Sequence, residues 1–428
     1  MKRLKVLISA YACEPGKGSE PGVGWNVAHQ MARYHDVWVI TRTSNASAIK
    51  AELARHPSPN LRFLYYDFPQ WTRFWKRGAR GVQIYYYLWQ LGIFFVAKKA
   101  HKHIGFELIH HATFVKYWAP SFLSLLSVPF IWGPIGGGES APEDFMQDFS
   151  LKGKVYERCR NVARWLGEHD PFVRLTAKRS SIILATTKET AMRISSFSIK
   201  EARLLGESSL SESDLKSAPL LPADDEPFRF IAIGRLLHWK GIHLGLRAFS
   251  LSRVSRAEFW VVGDGPERQY LEALARSLHV AERVRFFGRL SRENSMERLM
   301  RCQVLVHPSL HDSGGWVCLE GMAAGRPVIC LDIGGPSVQV TMESGFKIPA
   351  VNPLQAVRDM ADAMKQLAAD RSLLVRMGKA GQERIRGHYT WNRRGQDLNF
   401  LFSKVTVAPA TGGKEGATAK IRETLLRD

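Results

Sequence analysis

The stretch His311-Asp312-Ser313-Gly314-Gly315-Trp316-Val317-Cys318-Leu319-Glu320-Gly321-Met322-Ala323-Ala324-Gly325-Arg326-Pro327-Val328 decides how this chain is read. An apolar run ending in Pro308-Ser309 reads as a strand leaving a sheet, the glycines as a turn, Val317–Ala324 as a helix, and Arg326-Pro327 as the start of the next strand. Such a strand–loop–helix unit points free backbone N–H groups and the positive end of a helix at whatever lies above the sheet, which suits a phosphate. Asp312 falls just before the helix and Glu320 about two turns in, so one carboxylate can face sugar hydroxyls and the other a ribose. An N-cap carboxylate followed by a solvated helical Glu has the same spacing. The rest of the chain has to decide between them.

Outward from this unit, apolar runs alternate with helical patterns in both directions. In the first half the strand candidates are Val6–Ala10, Val37–Ile40, Phe63–Tyr66, Leu108–His111, Phe130–Trp132 and Ile182–Thr186. In the second they are Phe230–Gly234, Phe259–Val262, Val284–Phe287, Val304–His307 and Val328–Leu331. Alternation of this kind implies parallel sheets covered by helices on both faces. Gly206 to Pro227 is rich in Ser, Asp, Glu and Pro and reads as a linker. The expected fold class is α/β: two doubly wound, Rossmann-like domains, 1–205 and 228–388, facing across a cleft. A C-terminal helix over 389–405 is positioned to cross back to the first domain, and 406–428 reads as a mobile tail.

A chain of 428 residues suits two such domains. Its five cysteines show no C-x-x-C spacing and are expected to be reduced, and Met1-Lys2-Arg3 runs straight into a strand with no signal peptide expected. The net charge of +20 demands an anionic partner. Between Phe68 and Phe106 no acidic residue occurs, while Arg73, Lys76, Arg77, Arg80, Lys98, Lys99 and Lys102 surround a series of Trp, Tyr and Phe. Its uncharged part, Ile84–Ala97, is shorter than the roughly 20 residues that span a bilayer. A basic aromatic segment of this kind suits the headgroup plane of an anionic membrane, or a core-facing helix with an aromatic stripe. Nucleic acid is not the expected partner.

Three further motifs lie at strand ends. Glu14-Pro15-Gly16-Lys17-Gly18-Ser19-Glu20-Pro21-Gly22-Val23-Gly24 follows the first strand, and its glycines (Gly16, Gly18, Gly22) allow close approach to a phosphate or acceptor. Gly234-Arg235-Leu236 is followed by Lys240-Gly241, placing a guanidinium and an ammonium where they can share the charge of a diphosphate. Val262-Gly263-Asp264-Gly265-Pro266 closes a strand and opens a helix.

Taken in order, the motifs resemble retaining glycosyltransferases of family 4, with the GT-B fold. The resemblance runs from about residue 4 to 405 and is strongest from Phe228 to Pro336. It implies transfer of a hexose-type sugar from a nucleotide-diphosphate sugar to a glycan or lipid-linked acceptor, with no metal and no other cofactor. The setting it implies is surface-polysaccharide synthesis, in the cytoplasm or at the inner face of the plasma membrane, with 68–106 as the membrane contact. By the same resemblance Arg235 and Lys240 grip the diphosphate, Glu320 holds the ribose and Asp312 lies near the donor sugar. Gly234, Gly263, Gly265, Gly314, Gly315 and Trp316 are donor-binding.

There are two departures from the family pattern. Asp312 stands where the family usually has Glu, and no His follows Pro129-Phe130-Ile131-Trp132-Gly133-Pro134. Either the backbone amides of Gly136-Gly137-Gly138 with Glu139, or a His of the preceding strand (His111 rather than His110), takes the place of the missing His. Donor base, sugar and acceptor stay open. So do two rivals, a GT-B nucleotide-sugar epimerase and a non-catalytic polyanion or nucleic-acid binder.

Overall fold

Continuous apolar runs become strands here because both faces of each sheet are covered. The computed structural model describes residues 2–74, 81–114, 116–215 and 227–407. The first sheet contains β1 (Lys5–Ala10), β2 (Asp36–Thr41), β3 (Leu61–Tyr65), β4 (Leu108–Thr113), β5 (Phe130–Ile135), β6 (Ile182–Ala185) and β7 (Ala202–Leu204), in the order β3-β2-β1-β4-β5-β6-β7. The second contains β8 (Phe228–Ile233), β9 (Ala257–Val262), β10 (Val284–Gly288), β11 (Val304–His307), β12 (Val328–Leu331) and β13 (Gly345–Ile348), in the order β10-β9-β8-β11-β12-β13. All strand pairings are parallel. The strand order turns back between β1 and β4, and again between β8 and β11, which opens a crevice at the carboxyl ends of each pair.

Helices cover the first sheet: α1 (Ser19–Ala32), α2 (Ala46–Arg55), α3 (Val82–Ile104), α4 (Leu151–His169), α5 (Pro171–Arg179) and α6 (Lys188–Ser195). Around the second lie α7 (Ile242–Ser252), α8 (Arg268–Ser277), α9 (Arg292–Met300), α10 (Trp316–Ala323), α11 (Gly334–Gln339), α12 (Pro353–Ala369) and α13 (Arg371–His388). The five cysteines are free.

Two expectations need correction. The helix after β1 begins at Ser19, so Gly22 lies inside α1 and not in the loop. It is glycine for a packing reason: a Cβ there would sit 2.1 Å from the Lys17 carbonyl oxygen. The helix after β11 begins at Trp316, so Glu320 lies just over one turn in, not two.

The segment after β7 is built into the structure. Ser208, Ser209 and Leu210 are buried, and Leu210 pairs through its backbone with Tyr389 and Trp391. Residues 216–226, the rest of the expected linker, lie outside the described residues, as do 408–428 of the expected tail. The last helix, α14 (Trp391–Val407), packs on α1, and its Trp391, Leu398, Leu401 and Phe402 join the core of the first sheet.

One face of the aromatic segment packs into the core and the other is exposed. Tyr85, Tyr86, Trp89, Ile93 and Ala97 of α3 are buried, while Ile84, Leu88, Leu91 and Phe95 on the same helix are 40–64% exposed. Lys98, Lys99 and Lys102 are also exposed, and residues 75–80, with Lys76, Arg77 and Arg80, lie outside the described residues. Among the described residues no helix is long and apolar enough to cross a membrane.

Because Phe402 is fully buried in a core built, apart from α14 itself, by residues 4–205 and Trp316, Phe402→Ala should cost about 3–5 kcal/mol. Denaturant unfolding would measure it, and a loss under about 1 kcal/mol would mean that α14 adds little to the first core.

Candidate active site

Two loops of the second sheet meet at its switch point. Gly241, at φ +64°, lets the chain pass so close to Pro308 that a Cβ there would lie 1.9 Å from the Pro308 carbonyl oxygen. Leu310 N–H then donates to the Trp239 carbonyl at 2.7 Å, which knits the loop after β8 to the loop after β11. The result is an ion pair, Lys240 Nζ to Asp312 Oδ2 at 2.5 Å, with His307 Nε2 at 3.2 Å from the same oxygen. Burial alone would raise the Asp312 carboxyl, but Lys240 and His307 hold it well below the usual range. It is therefore charged at neutral pH. Lys240, with three N–H donors, keeps two for a ligand.

The other Asp312 oxygen accepts the N–H groups of Gly314 at 3.2 Å and Gly315 at 3.1 Å. This corrects the expectation that those amides are free for a phosphate or sugar: the Asp312 carboxylate, two and three residues upstream, takes them. Gly315 is needed for its left-handed backbone, φ +54°. Trp316 faces α14, its ring 6.4 Å from that of Trp391.

A cavity of about 780 Å³ opens over the ends of β8, β9 and β10, lined by Gly234, Arg235, Gly263, Gly265, Arg289 and Ser295 among others. Four of these six were expected from the sequence. Arg235 and Arg289 are exposed, and neither guanidinium has a partner among the described residues. Arg289 was missed, although Gly288-Arg289 after β10 repeats the Gly234-Arg235 pattern after β8. Glu320 lies on α10 with one oxygen accepting from Arg292 Nε at 3.1 Å, and Arg292 also binds Asp214. Burial raises the Glu320 carboxyl against the opposing pull of Arg292.

From the first domain, Gly137 and Glu139 meet the Asp312 loop at Ser313. Gly16 and Gly18 stand in open space, with no atom within 4 Å of where a Cβ would lie. Glu139 is buried with both oxygens engaged: Thr187 and Thr190 hydroxyls on one, Ser313 Oγ at 2.6 Å and Gly137 N–H at 3.1 Å on the other. It acts as an anchor across the cleft. His111 is 1% exposed, its Nε2 against the Tyr86 hydroxyl at 2.9 Å, and burial lowers it to about 3. It offers no surface to a ligand, so the place of the missing His is not filled from β4.

Two carboxylates here carried no sequence signal. Glu157 of α4 receives His238 and His311 from the other domain. Glu207, in the segment after β7, lies against Gly314. Burial and the nearby charges of Glu20, Glu139 and Asp312 push it up to about 8, so it is largely neutral at pH 7. Among the described residues no cluster of three or more His, Cys, Asp or Glu is placed to hold a metal ion.

Two parallel, doubly wound sheets meeting at their carboxyl ends, with the last helix returned to the first, make the GT-B fold. Sucrose-phosphate synthase from Thermosynechococcus elongatus matches it with a TM-score of 0.66 at 19% identity, over 95% of this chain and 100% of that one. Anabaena Alr3699/HepE, solved with UDP and glucose, matches at 0.57 and 17% identity, over 94% and 100%. In sequence, the family described as "Glycosyl transferases group 1" matches residues 216–384. The lipopolysaccharide core biosynthesis glycosyltransferase LpsD of Rhizobium meliloti is 34% identical over 170 residues, 40% of this chain and 47% of that protein. The chain thus spans about half the length of the curated relatives it matches.

The Glu207 carboxyl makes a testable demand. A folded pKa raised above the unfolded value adds stability at low pH, and that stability is lost as pH rises through about 8. Melting temperature should therefore fall between pH 6 and pH 9, and Glu207→Gln should fall less steeply. An equal slope in both proteins would show that Glu207 is already ionised at pH 6.

Proposed function

We propose that this chain is a retaining glycosyltransferase that moves a hexose-type sugar from a nucleotide-diphosphate sugar to a glycan or lipid-linked acceptor, in the synthesis of cell-surface polysaccharide. The observation that carries the reading is the charge at the switch point of the second sheet. The guanidiniums of Arg235 and Arg289, without a partner among the described residues, line a 780 Å³ cavity over the ends of β8, β9 and β10, and the loop that carries Arg235 also carries Lys240, paired to Asp312. Support also comes from the family match, which covers these residues, and from relatives whose names place them in lipopolysaccharide core biosynthesis. Retention of configuration comes from the resemblance to family 4.

The chemistry follows from charge. As the bond between the anomeric carbon and the diphosphate oxygen breaks, negative charge gathers on the diphosphate and positive charge on the sugar. Cations fixed in advance favour that transition state over the ground state. Arg235 and the free N–H groups of Lys240 are suited to the diphosphate. Asp312 keeps Lys240 aimed and sets a negative charge near the sugar. The acceptor oxygen forms the new bond, and its proton leaves with the diphosphate. The chain's own cations suffice for this role, and no metal enters the scheme. Glu320, through the oxygen that Arg292 does not hold, suits the ribose.

The acceptor side is proposed to work at an anionic membrane surface on the inner face. The exposed Ile84, Leu88, Leu91 and Phe95 of α3, followed by Lys98, Lys99 and Lys102, form an apolar face with a basic end.

Loss of one charge-assisted hydrogen bond costs about 1.5–3 kcal/mol, or roughly ten- to hundredfold in rate. Arg235→Ala should lose that much turnover of UDP-, GDP- or ADP-hexoses at an unchanged melting temperature. Lys240→Ala should lose as much and also melt lower, because Asp312 is left buried without its cation. Turnover near the wild-type rate in both would refute the cation role. Replacing Lys98, Lys99 and Lys102 together by Gln should release the protein from phosphatidylglycerol vesicles, and undiminished binding would remove α3 from the membrane contact.

A further inference from the structure

Asp312 is flanked by two residues that reach the opposite domain. On one side, His311 places Nε2 3.0 Å from Glu157 Oε1, an oxygen that also receives His238 at 3.2 Å. Arg160, on the same helix as Glu157, lies 3.6 Å from the other oxygen. The His311 ring stacks on Trp239 at 5.0 Å, and Trp239 stacks in turn on Tyr156 of α4 at 5.1 Å. On the other side, Ser313 donates its hydroxyl to Glu139 at 2.6 Å and accepts Gly137 N–H at 3.1 Å. Glu139 is itself fixed by the hydroxyls of Thr187 and Thr190. Residues 311 and 313 are thus each held by a buried carboxylate of the first domain, and 312 lies between them.

We infer that Glu157 and Glu139 are positioning residues: by gripping His311 and Ser313 from across the cleft they set the Asp312 carboxylate against Lys240, so the charged pair of the second domain depends on the first. Within the second domain the Asp312 carboxylate is tied to Lys240, His307 and the Gly314 and Gly315 amides. The loop backbone is held to α11, by Gly335 N–H on the Asp312 carbonyl at 2.7 Å and the Gln339 side-chain amide on the Gly314 carbonyl at 2.6 Å. The side chains on either side of Asp312 are hydrogen-bonded from the first domain. The two cross-cleft bonds fix the loop along its length. The carboxylates are suited to the task because neither faces solvent: Glu157 and Glu139 are each 2% exposed, where a charge-assisted hydrogen bond is not screened by water.

The Gly314 and Gly315 amides give a direct readout, since both donate to Asp312 Oδ1. Hydrogen exchange followed by mass spectrometry on the full chain should show the 311–316 peptide exchanging at least roughly tenfold faster in Glu157→Ala and in Ser313→Ala. Peptides from β8 and β11 should exchange as in the wild type. Ser313→Ala removes a single hydroxyl and keeps the test open if Glu157→Ala does not fold. Glu157→Gln, whose amide oxygen can still accept from His311, should restore most of the protection. Unchanged exchange at 311–316 in Ser313→Ala, and in Glu157→Ala where that variant folds, would overturn the inference.

The kinetic arm rests on the transferase reading. There kcat should fall by about tenfold or more, while Kd for the free nucleoside diphosphate stays within about twofold. A kcat within about twofold of wild type in every variant that folds would also overturn the inference. If the wild type consumes no nucleotide-sugar, it is the transferase reading that fails, and the exchange result alone decides this one.

Discussion

A carboxylate held at the seam between two domains must be compensated or neutralised, and most of this cleft follows from how Asp312 is compensated. Breaking a buried charge pair costs several kcal/mol, because the remaining charge has no water to turn to. Lys240, His307 and two backbone amides therefore converge on Asp312. For Lys240 to arrive there, the loop after β8 must run against the loop after β11, and that in turn requires glycine at position 241. The ion pair, the loop packing and the glycine are one constraint seen at three levels.

The charges around this pair are unevenly distributed, and the unevenness suits the proposed chemistry. On the cavity side, Arg235 and Arg289 have no partners among the described residues and are available to an anion. Toward the first domain, Glu20, Glu139 and Asp312 lie near Glu207, and burial, reinforced by their repulsion, keeps the Glu207 carboxyl protonated well above the usual carboxylate range. A donor whose diphosphate is anionic and whose sugar turns cationic would meet each sign of potential at the matching end.

Much of this was legible in the chain, and what was not has physical reasons. The central strands could be read because burial on both faces makes them apolar throughout, as in β4 and β5. The outermost strands β7 and β13 could not: they are three and four residues long, partly exposed, and without a hydrophobic signature. Lys240 and Asp312 were legible because glycine-marked strand ends carry them. Glu139 was noticed for its neighbours, but its bond to Ser313 was not, and Glu157 gave no sign at all. A lone Glu on a polar helix looks solvated until another domain is packed on it. Gly22 misled for a related reason: the sequence shows that a side chain is missing there, but not that the Lys17 carbonyl occupies its place. The free amides expected at Gly314 and Gly315 were spent locally, because a side chain folding back on its own loop leaves no periodic trace.

The chain passes between the domains twice, once through the segment after β7 and again before α14, and the two passages lie side by side, joined as a parallel bridge between Leu210 and Thr390. Leu210 N–H on the Tyr389 carbonyl and Trp391 N–H on the Leu210 carbonyl clasp the two passages together. A rotation that parted the two sheets would have to carry both passages along or break that clasp.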